Sequence, residues 1–303
     1  MLNSTMLNWN ITQNEESEPM LVHLGRKIPL APTSYLRQLL RSGRVNINNT
    51  PATENHLVRP GDSISLPESR KLAELVEQCR RLPEILFESE WLLVVRKPVG
   101  LATHAGKGHE EDNLATRVTA LLASRGDTFR SAPIHRLDRP TSGPVLFGKG
   151  QKAISELGRM MQESLVTKSY LALVQAGLPS HGELVSAVPG KGKWKPASTR
   201  FTRVEEHAGL ALLELQLGTG RQHQIRRQLA DAGYPVAGDS RYRGPQLDGL
   251  DHLFLHCQIL SFTCPFSNRQ ISTEDPLPDD LTDFLAMRKF TIPPLPDAAG
   301  KSL

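Results

Sequence analysis

One short stretch of the sequence gathers residues that could do chemistry. His135, Arg136, Asp138 and Arg139 place an imidazole and two guanidinium groups beside a single carboxylate. Nearby positive charge stabilises an ionised carboxylate, and an ionised aspartate can act as a nucleophile, a general base or a metal ligand. The same charges are also compatible with an ion pair that only holds a loop in place. Asp138 is therefore a candidate catalytic residue whose role this stretch alone leaves open.

The residues after Asp138 predict how the carboxylate is positioned. Pro140 and Gly143 favour a turn, and the apolar run 145–147 is typical of a buried strand. Polar residues on a loop that enters a rigid strand are a common arrangement in active sites. We therefore expect Asp138 on a loop directly before a core strand.

Two later stretches carry further candidates. Residues 168–174 alternate and then become apolar, which predicts a central strand bearing Lys168 and Tyr170. That tyrosine could serve a site, or it could be structural, with a hydroxyl that finds a partner on burial. Farther along, a glycine-containing turn leads into a predicted helix and carries Arg221 and Arg226, which could reach a carboxylate or a phosphate.

Basic residues also cluster around Trp194, where Lys195 is one of several nearby lysines and arginines. Cations interleaved with an aromatic ring suit a phosphate backbone and a stacked base. A hairpin with solvated charges would show the same composition. The cluster is therefore a candidate RNA contact rather than a catalytic group.

The N-terminal part predicts a small separate unit. A short helix with a basic edge at Arg37, Arg41 and Arg44 precedes a strand at 45–47 and an Asn48-Asn49 turn, and a second turn at 59–62 leads into the run 63–66. We favour RNA binding over a merely solvated basic helix, because the charges cluster on one edge. The predicted division is a flexible tail 1–20, this small domain 21–67, a helical linker 68–83, a large domain 84–290 and a flexible tail 291–303.

Composition limits the class of protein. The chain has 303 residues, 39% hydrophobic and 22% charged, with a formal net charge of +4, which permits a polyanionic partner. No apolar run is long enough to span a bilayer, so we expect no membrane association. The three cysteines, an odd count without a Cys-x-x-Cys pair, argue against a disulfide framework or a zinc knuckle. We expect a reduced, cytoplasmic protein.

Together these stretches resemble the RluA family of pseudouridine synthases. The residues around Asp138 match its signature His-Arg-Leu-Asp-Arg followed by Thr-Ser-Gly, Tyr170 falls in a Lys-x-Tyr motif, and 219–226 match Thr-Gly-Arg-x-His-Gln-Ile-Arg. Further similar motifs follow the family's order from about residue 84 to 266. They are Lys-Pro-x-Gly at 97–100, Lys-Pro-Ala-x-Thr at 195–199, Gly-x-Pro-x-x-Gly-Asp at 233–239 and Leu-His-Ala at 255–257, where Cys257 replaces the alanine.

The resemblance implies a fold and a reaction. The fold would be α+β, a pseudouridine synthase fold with a mixed, mostly antiparallel central sheet flanked by helices, plus a small N-terminal alpha-L RNA-binding domain. The enzyme would isomerise uridines in structured RNA, breaking the glycosidic bond at N1 and re-forming it at C5. No cofactor and no metal are implied. Large-subunit ribosomal RNA is the favoured partner, transfer RNA the second, and we expect a monomer.

The resemblance also implies roles for individual residues. Asp138 would attack the sugar or abstract a sugar proton, Arg226 would pair with it, and Tyr170 would stack on the uracil and could help remove the C5 proton. Leu255 would complete an apolar wall, and Arg136 would fill the space that the uridine leaves. The remaining residues expected to bind substrate RNA are His135, Arg139, Lys168, Lys195 and Arg221.

Two functions from other classes share some of these features. A non-catalytic RNA-binding or ribosome-assembly protein would keep the basic residues, but it would not need Asp138, Tyr170 and Arg226 together. A metal hydrolase could use His135, Asp138 and His223, but these lack the helical spacing of zinc motifs, and the cations beside Asp138 would repel a metal.

Overall fold

The computed structural model describes residues 6–13, 16–106, 112–189 and 194–291. The chain divides into two compact units, one made of residues 1–82 and 117–128 and the other of residues 83–116 and 129–303. The helices are α1 Met20–Lys27, α2 Thr33–Arg41, α3 Arg70–Arg80, α4 Leu114–Ser124, α5 Gly150–Gln162, α6 Gln224–Asp231 and α7 Asp279–Met287. The strands are β1 Met6–Asn10, β2 Glu18–Pro19, β3 Asn46–Ile47, β4 Thr50–Pro51, β5 Leu57–Val58, β6 Ser63–Pro67, β7 Ile85–Glu88, β8 Leu92–Lys97, β9 Ser131–Pro133, β10 Gly143–Lys149, β11 Thr167–Gln175, β12 His181–Pro189, β13 Trp194–His207, β14 Leu210–Leu217, β15 Leu255–Thr263 and β16 Gln270–Glu274.

The first unit is a small helix-and-sheet structure with its own core. Its four-stranded sheet has the order β1-β6-β3-β4, and the turn between β3 and β4 places Asn48 and Asn49 at φ values of 49° and 65°. Asparagine tolerates this left-handed conformation, so the Asn-Asn pair makes the tight hairpin turn possible. Leu24 of α1, Leu36 of α2 and Ile64 of β6 are buried in one apolar cluster.

The second unit contains two antiparallel sheets. The four-stranded sheet has the order β7-β8-β10-β9, and α5 packs on it through Ala153, Leu157 and Met160, which share a core with Leu146. These helix positions are spaced so that they lie on one face, which gives α5 an apolar side to bury. The strand predicted at 145–147 is the buried centre of β10.

The six-stranded sheet has the order β12-β13-β14-β11-β15-β16, so β11 lies between β14 and β15 at its centre. Helix α7 buries Phe284 and Leu285 in one cluster with Leu173 of β11 and Leu212 of β14. A central strand covered in this way is held on both edges and on one face. It is therefore a rigid support for side chains on its opposite face.

Two local features shape the region where the sheets meet. An isolated parallel bridge joins Ser142, just before β10, to His256 of β15. A β-bulge also interrupts the pairing of β11 with β15, because Ser169 faces Ile259 whereas Tyr170 faces Cys257. Bulges re-aim side chains and are common beside active sites. The bulge therefore lies at Tyr170, one of the predicted site residues.

The structure confirms the predicted α+β class and changes some details. All strand pairs in the described residues are antiparallel, and the sheet is mixed only at the Ser142–His256 bridge. The predicted tail 1–20 is wrong for residues 6–10, which form a strand paired with β6. Sequence alone could not show this, because the partner of an edge strand lies far along the chain. The predicted linker contains helix α3, and its Leu72 is buried in the core of the first unit.

The C-terminal tail predicted for residues 291–303 lies outside the described residues except for Thr291. Within the part of the chain that the structure describes, no helix is both long enough and apolar enough to cross a membrane.

Candidate active site

The loop that carries Asp138 is held on one side by a buried lysine. The Nζ of Lys97 donates to the carbonyl oxygens of Pro98 (3.0 Å), Leu101 (2.8 Å) and Arg139 (3.2 Å). Burial lowers the pKa of Lys97 to about 7, although the charge of Asp138 acts in the opposite direction. One ammonium group thus fixes the turn after β8 and the residue directly after Asp138.

The other side of the loop is held by β15. The Nε2 of His256 faces the carbonyl oxygen of Asp275 at 2.8 Å, so it carries the hydrogen, and Nδ1 then accepts from the Ser142 hydroxyl at 2.8 Å. Burial lowers the pKa of His256 to about 4, which keeps the ring neutral. Gly143 has φ +129°, and a Cβ there would lie 2.3 Å from the carbonyl oxygen of Cys257. Only glycine allows β10 to begin so close to β15.

The carboxylate of Asp138 faces one arginine and one histidine from the turn and first residues of α6. Its Oδ2 lies 3.4 Å from the Nη1 of Arg226, and its Oδ1 lies 3.8 Å from the Nε2 of His223. Burial lowers the pKa of His223, and the charge of Arg226 lowers it further, although Asp138 raises it. His223 is therefore neutral at pH 7, and Arg226 is the cationic partner of Asp138. The Asp138 side chain remains 14% exposed.

Arg226 is in turn aimed by a second carboxylate. The Nε and Nη2 of Arg226 donate to the two oxygens of Asp239 at 2.7 and 2.8 Å, a bidentate pair. Burial alone would lower the pKa of Arg226, but the hydrogen bonds and charge of Asp239, with a smaller effect of Asp138, raise it. Asp239 also accepts from the backbone N–H groups of Arg241 and Tyr242. The guanidinium plane is therefore fixed before substrate arrives.

Tyr170 contributes a buried aromatic ring next to this pair. Burial raises the pKa of Tyr170 well above its usual value, and the neighbouring Cys257 and Asp138 raise it further. The hydroxyl therefore stays protonated at neutral pH. A neutral phenol suits stacking and hydrogen bonding better than it suits direct proton abstraction.

These side chains line one cavity of about 330 Å³. It brings together all but two of the residues predicted from sequence, namely His135, Arg136, Asp138, Lys168, Tyr170, Arg221, Arg226 and Leu255. Arg136 is exposed at this site, whereas His135 is buried and accepts from the backbone N–H of Leu146 through Nε2 at 3.1 Å. Burial lowers the pKa of His135 to about 3, so the ring is neutral.

Arg139 and Lys195 do not join this group. The exposed Arg139 donates from Nε to the carbonyl oxygen of Gly100 at 3.0 Å, so it braces the loop instead of facing Asp138. Lys195 stands in β13 opposite Val188, and its side chain lies outside the described part of the structure. Among the described residues, the arginine within 4 Å of Asp138 is Arg226 of α6, the partner that the resemblance implied, and not a neighbour of Asp138 in the chain.

The arrangement is a carboxylate aimed by an arginine inside a cavity with an aromatic ring on one strand. In such a site the carboxylate can attack an electrophilic carbon that is bonded to a flat base, or it can remove a proton from a neighbouring carbon. Within the described residues, no group of three His, Cys, Asp or Glu side chains is arranged to hold a metal ion.

Comparison with known proteins identifies the family. Residues 91–231 match the family model described as RNA pseudouridylate synthase. The chain is 31% identical over 302 residues to ribosomal large subunit pseudouridine synthase C of Escherichia coli O157:H7, covering 89% of this chain and 93% of that protein. The chain belongs to the RluA family of RNA pseudouridine synthases. It is therefore an isomerase that acts on RNA, and neither the non-catalytic RNA-binding protein nor the metal hydrolase is favoured.

Other members support the same assignment. The protein of the same name from Pasteurella multocida is 30% identical over 312 residues, covering 94% of both chains. An uncharacterized RNA pseudouridine synthase of Bacillus subtilis is 30% identical and covers 83% of this chain and 88% of its own. The solved structure of human RNA pseudouridylate synthase domain containing 4 has a TM-score of 0.55 at 22% identity, covering 69% of this chain and 94% of that chain, which supports the fold.

The structure also shows contacts at this site from residues to which sequence reasoning gave no role in the pseudouridine synthase reaction. Asp239 clamps Arg226, Lys97 and His256 anchor the Asp138 loop, and His223 approaches Asp138. Each of them lies inside a matched motif. The motifs signalled that the positions matter, but only the fold shows which atoms they contact.

Proposed function

We propose that this pseudouridine synthase modifies uridines of large-subunit ribosomal RNA. The Escherichia coli and Pasteurella multocida relatives are named for that RNA and align with most of this chain. Transfer RNA is the second candidate substrate. The single observation that carries the catalytic part of the proposal is that Asp138, Tyr170 and Arg226 line one cavity, with Arg226 in contact with Asp138.

Asp138 is assigned the reacting carboxylate. Arg226 contacts it and points it into the cavity, and the two contacts of Arg226 with Asp239 prevent the guanidinium from turning away. In the reaction the carboxylate acts on the ribose, either by attack on C1′ or by removal of a sugar proton. The N1–C1′ bond breaks and a C5–C1′ bond forms, while C5 loses a proton and N1 gains one.

The base is assigned to the strand side of the cavity. Tyr170 would stack on the uracil, and Leu255, which is buried at the start of β15, would provide the apolar wall. A base–aromatic stack is worth about 1–3 kcal/mol. Tyr170 is buried on the central strand, so packing already orders its ring before the base enters.

The target uridine has to leave its stack before it can reach Asp138, which costs a few kcal/mol. Arg136 is exposed and lines the same cavity, so it is placed to fill the space that the nucleotide leaves. A guanidinium suits this position because it stacks on bases and binds phosphate at the same time.

Contacts farther out would bind the rest of the RNA. Arg221 also lines the cavity, Arg139 is exposed directly after Asp138 in the chain, and Lys195 lies on the β13 hairpin. The first unit would add RNA-binding surface as an alpha-L-type domain, since Arg44 and Arg59 are exposed on it. The monomeric state and the cytoplasmic location stay predictions.

The direct test is release of tritium from C5 of uridine. Large-subunit ribosomal RNA is transcribed with tritium at C5 and incubated with the purified chain, and transfer RNA transcripts are tested in parallel. Asp138→Asn nearly preserves volume and removes the charge, so we expect release to fall to background. The exposed Asp251→Asn, at a position that does not line the cavity, is the matched control and should behave as the wild type.

Two results would contradict the proposal in different ways. Normal release by Asp138→Asn would remove Asp138 as the reacting group. Release from transfer RNA transcripts alone would keep the chemistry and replace the RNA target.

A further inference from the structure

Lys168 is a buried cation that has no counter-ion among the residues that the structure describes. Its side chain lies on β11, is only 5% exposed and lines the same cavity as Asp138. Its Nζ contacts the Sδ of Met161 at 3.7 Å, and among the described residues no carboxylate lies within 4.0 Å of it. A thioether is a weak acceptor, so the ammonium group retains unused hydrogen-bonding capacity.

Burial of such a group is costly. Desolvation lowers the pKa of Lys168, although neighbouring Cys257 acts in the opposite direction. An ammonium that leaves water without a partner destabilises the protein, and buried charges are therefore normally paired. The turn at Gly220 passes close by, since a Cβ there would lie 3.3 Å from the Nζ. The missing acceptor is therefore expected to come from a molecule that enters the cavity.

The position of Lys168 indicates which part of the substrate it meets. Lys168 and Tyr170 are two residues apart on β11 and both line the cavity, so their side chains point from the same face at a spacing of roughly 7 Å. Tyr170 is the residue assigned to the base. Asp138 already has Arg226 as its cation, so Lys168 is a separate positive charge on the base side.

We propose that Lys168 is a catalytic residue that stabilises the leaving uracil. Its ammonium donates a hydrogen bond to a carbonyl oxygen of the everted base. When the N1–C1′ bond breaks, its electron pair passes to the uracil ring and is shared with the carbonyl oxygens, and the buried positive charge stabilises that anion. When the C5–C1′ bond has formed, C5 gives up its proton and N1 takes one up, so no oxidant or reductant is needed.

This inference rests on the proposed placement of the base on Tyr170. A phosphate group is a less suitable occupant, because phosphates are strongly hydrated and the exposed Arg136 is available to them outside the buried part of the cavity. A charge in a site that excludes water acts more strongly than one in solvent. Loss of one such preorganised donor typically costs about 10²-fold or more in turnover.

The test separates chemistry from binding. Wild type, Lys168→Met, Lys168→Arg and Asp138→Asn are assayed with enzyme in excess over total RNA that carries tritium at C5 and comes from cells lacking this protein. The maximal rate reports chemistry, and the enzyme concentration at half the maximal rate reports affinity. Lys168→Met keeps the length and the contact with Met161 but removes the charge. The exposed Lys289→Met is the matched control.

We expect Lys168→Met to lower the maximal rate about 10²-fold, with the half-maximal concentration within about twofold of wild type, the size of an ordinary surface effect. Lys168→Arg, which keeps the positive charge, should retain most of the wild-type maximal rate. A normal maximal rate in Lys168→Met, or a loss confined to affinity, would overturn the proposal. Normal activity of Asp138→Asn would instead overturn the proposed function.

A second measurement decides the matter if Lys168→Met does not fold. The rate of the wild type should decline at alkaline pH as Lys168 loses its proton, below the usual range for lysine because burial lowers its pKa. Lys168→Arg should lose that decline and keep any decline due to Lys97. Identical pH profiles for the two proteins would contradict the assignment.

Discussion

Asp138 and Asp239 share Arg226, yet the structure predicts different consequences for the stability of the protein when each is replaced. Asp239 has no exposed surface and forms two hydrogen bonds to Arg226, at 2.7 and 2.8 Å. Asp138 is 14% exposed and makes a single contact with Arg226 at 3.4 Å. Asp239 therefore mainly stabilises the fold and positions Arg226, whereas Asp138 is free to react.

The perturbation is Asp239→Asn. Removing one partner of a buried ion pair costs about 3–5 kcal/mol. We expect the lower end, about 3 kcal/mol, because an amide oxygen can still accept from one guanidinium N–H and from the backbone N–H groups. A loss of that size lowers the folding equilibrium constant about 150-fold. Turnover should also fall, about 10²-fold, because the guanidinium that aims Asp138 is no longer fixed.

The free energy of unfolding is measured by urea denaturation followed by circular dichroism, and turnover by tritium release. Asp138→Asn is the comparison and should change the free energy of unfolding by less than about 1 kcal/mol, as partly exposed contacts do, while abolishing turnover. The reasoning is refuted if Asp239→Asn is as stable and as active as the wild type. It is also refuted if Asp138→Asn is the less stable of the two.

Three further changes follow from the anchoring of the loop and the base. Lys97→Met should destabilise the protein by about 2–4 kcal/mol, since three carbonyl oxygens lose their buried donor. The pKa of Lys97 in the folded protein, about 7, lies below the usual lysine value, so burying its charged form lowers the free energy of unfolding. That cost decreases as the pH rises and Lys97 loses its proton. Wild type should thus gain stability over Lys97→Met above pH 7, by at most about 1.4 kcal/mol per pH unit, in urea titrations at several pH values. Gly143→Ala should cost about 3 kcal/mol or more in the same assay, because its Cβ would overlap the carbonyl oxygen of Cys257; a wild-type midpoint would contradict the close packing of β10 on β15. Tyr170→Phe should bind RNA as the wild type does, whereas Tyr170→Ala should lose about 1–3 kcal/mol of affinity in filter binding; equal losses in both would show that the hydroxyl, and not the ring, holds the base.

The sequence was sufficient to predict the class of fold and the kinds of element that carry the candidate site residues. Asp138, Tyr170 and Arg226 were assigned to a loop, a strand and a turn leading into a helix, and the structure has them in or beside such elements. Local pattern made this possible, because turn residues and apolar runs act over a few positions. The chemistry followed from the order of the motifs along the chain.

The partners of these residues could not be predicted in the same way. That Arg226 is held by Asp239, or Ser142 by His256, depends on which strands and turns meet in space. The strand at 6–10 was missed for the same reason, because its pairing with β6 is a long-range contact. The contact of Arg139 also depends on the fold, since its Nε donates to the carbonyl oxygen of Gly100 although Asp138 is its neighbour in the chain.

The central claim is that one carboxylate, aimed by Arg226, isomerises uridine in ribosomal RNA. The most direct measurement is a pseudouridine map of large-subunit ribosomal RNA from cells that lack this protein, complemented with wild type or with Asp138→Asn. We expect specific positions to lose pseudouridine in the deleted cells, to regain it with wild type and to remain unmodified with Asp138→Asn. Full restoration by Asp138→Asn, or a map identical in deleted and wild-type cells, would contradict the claim.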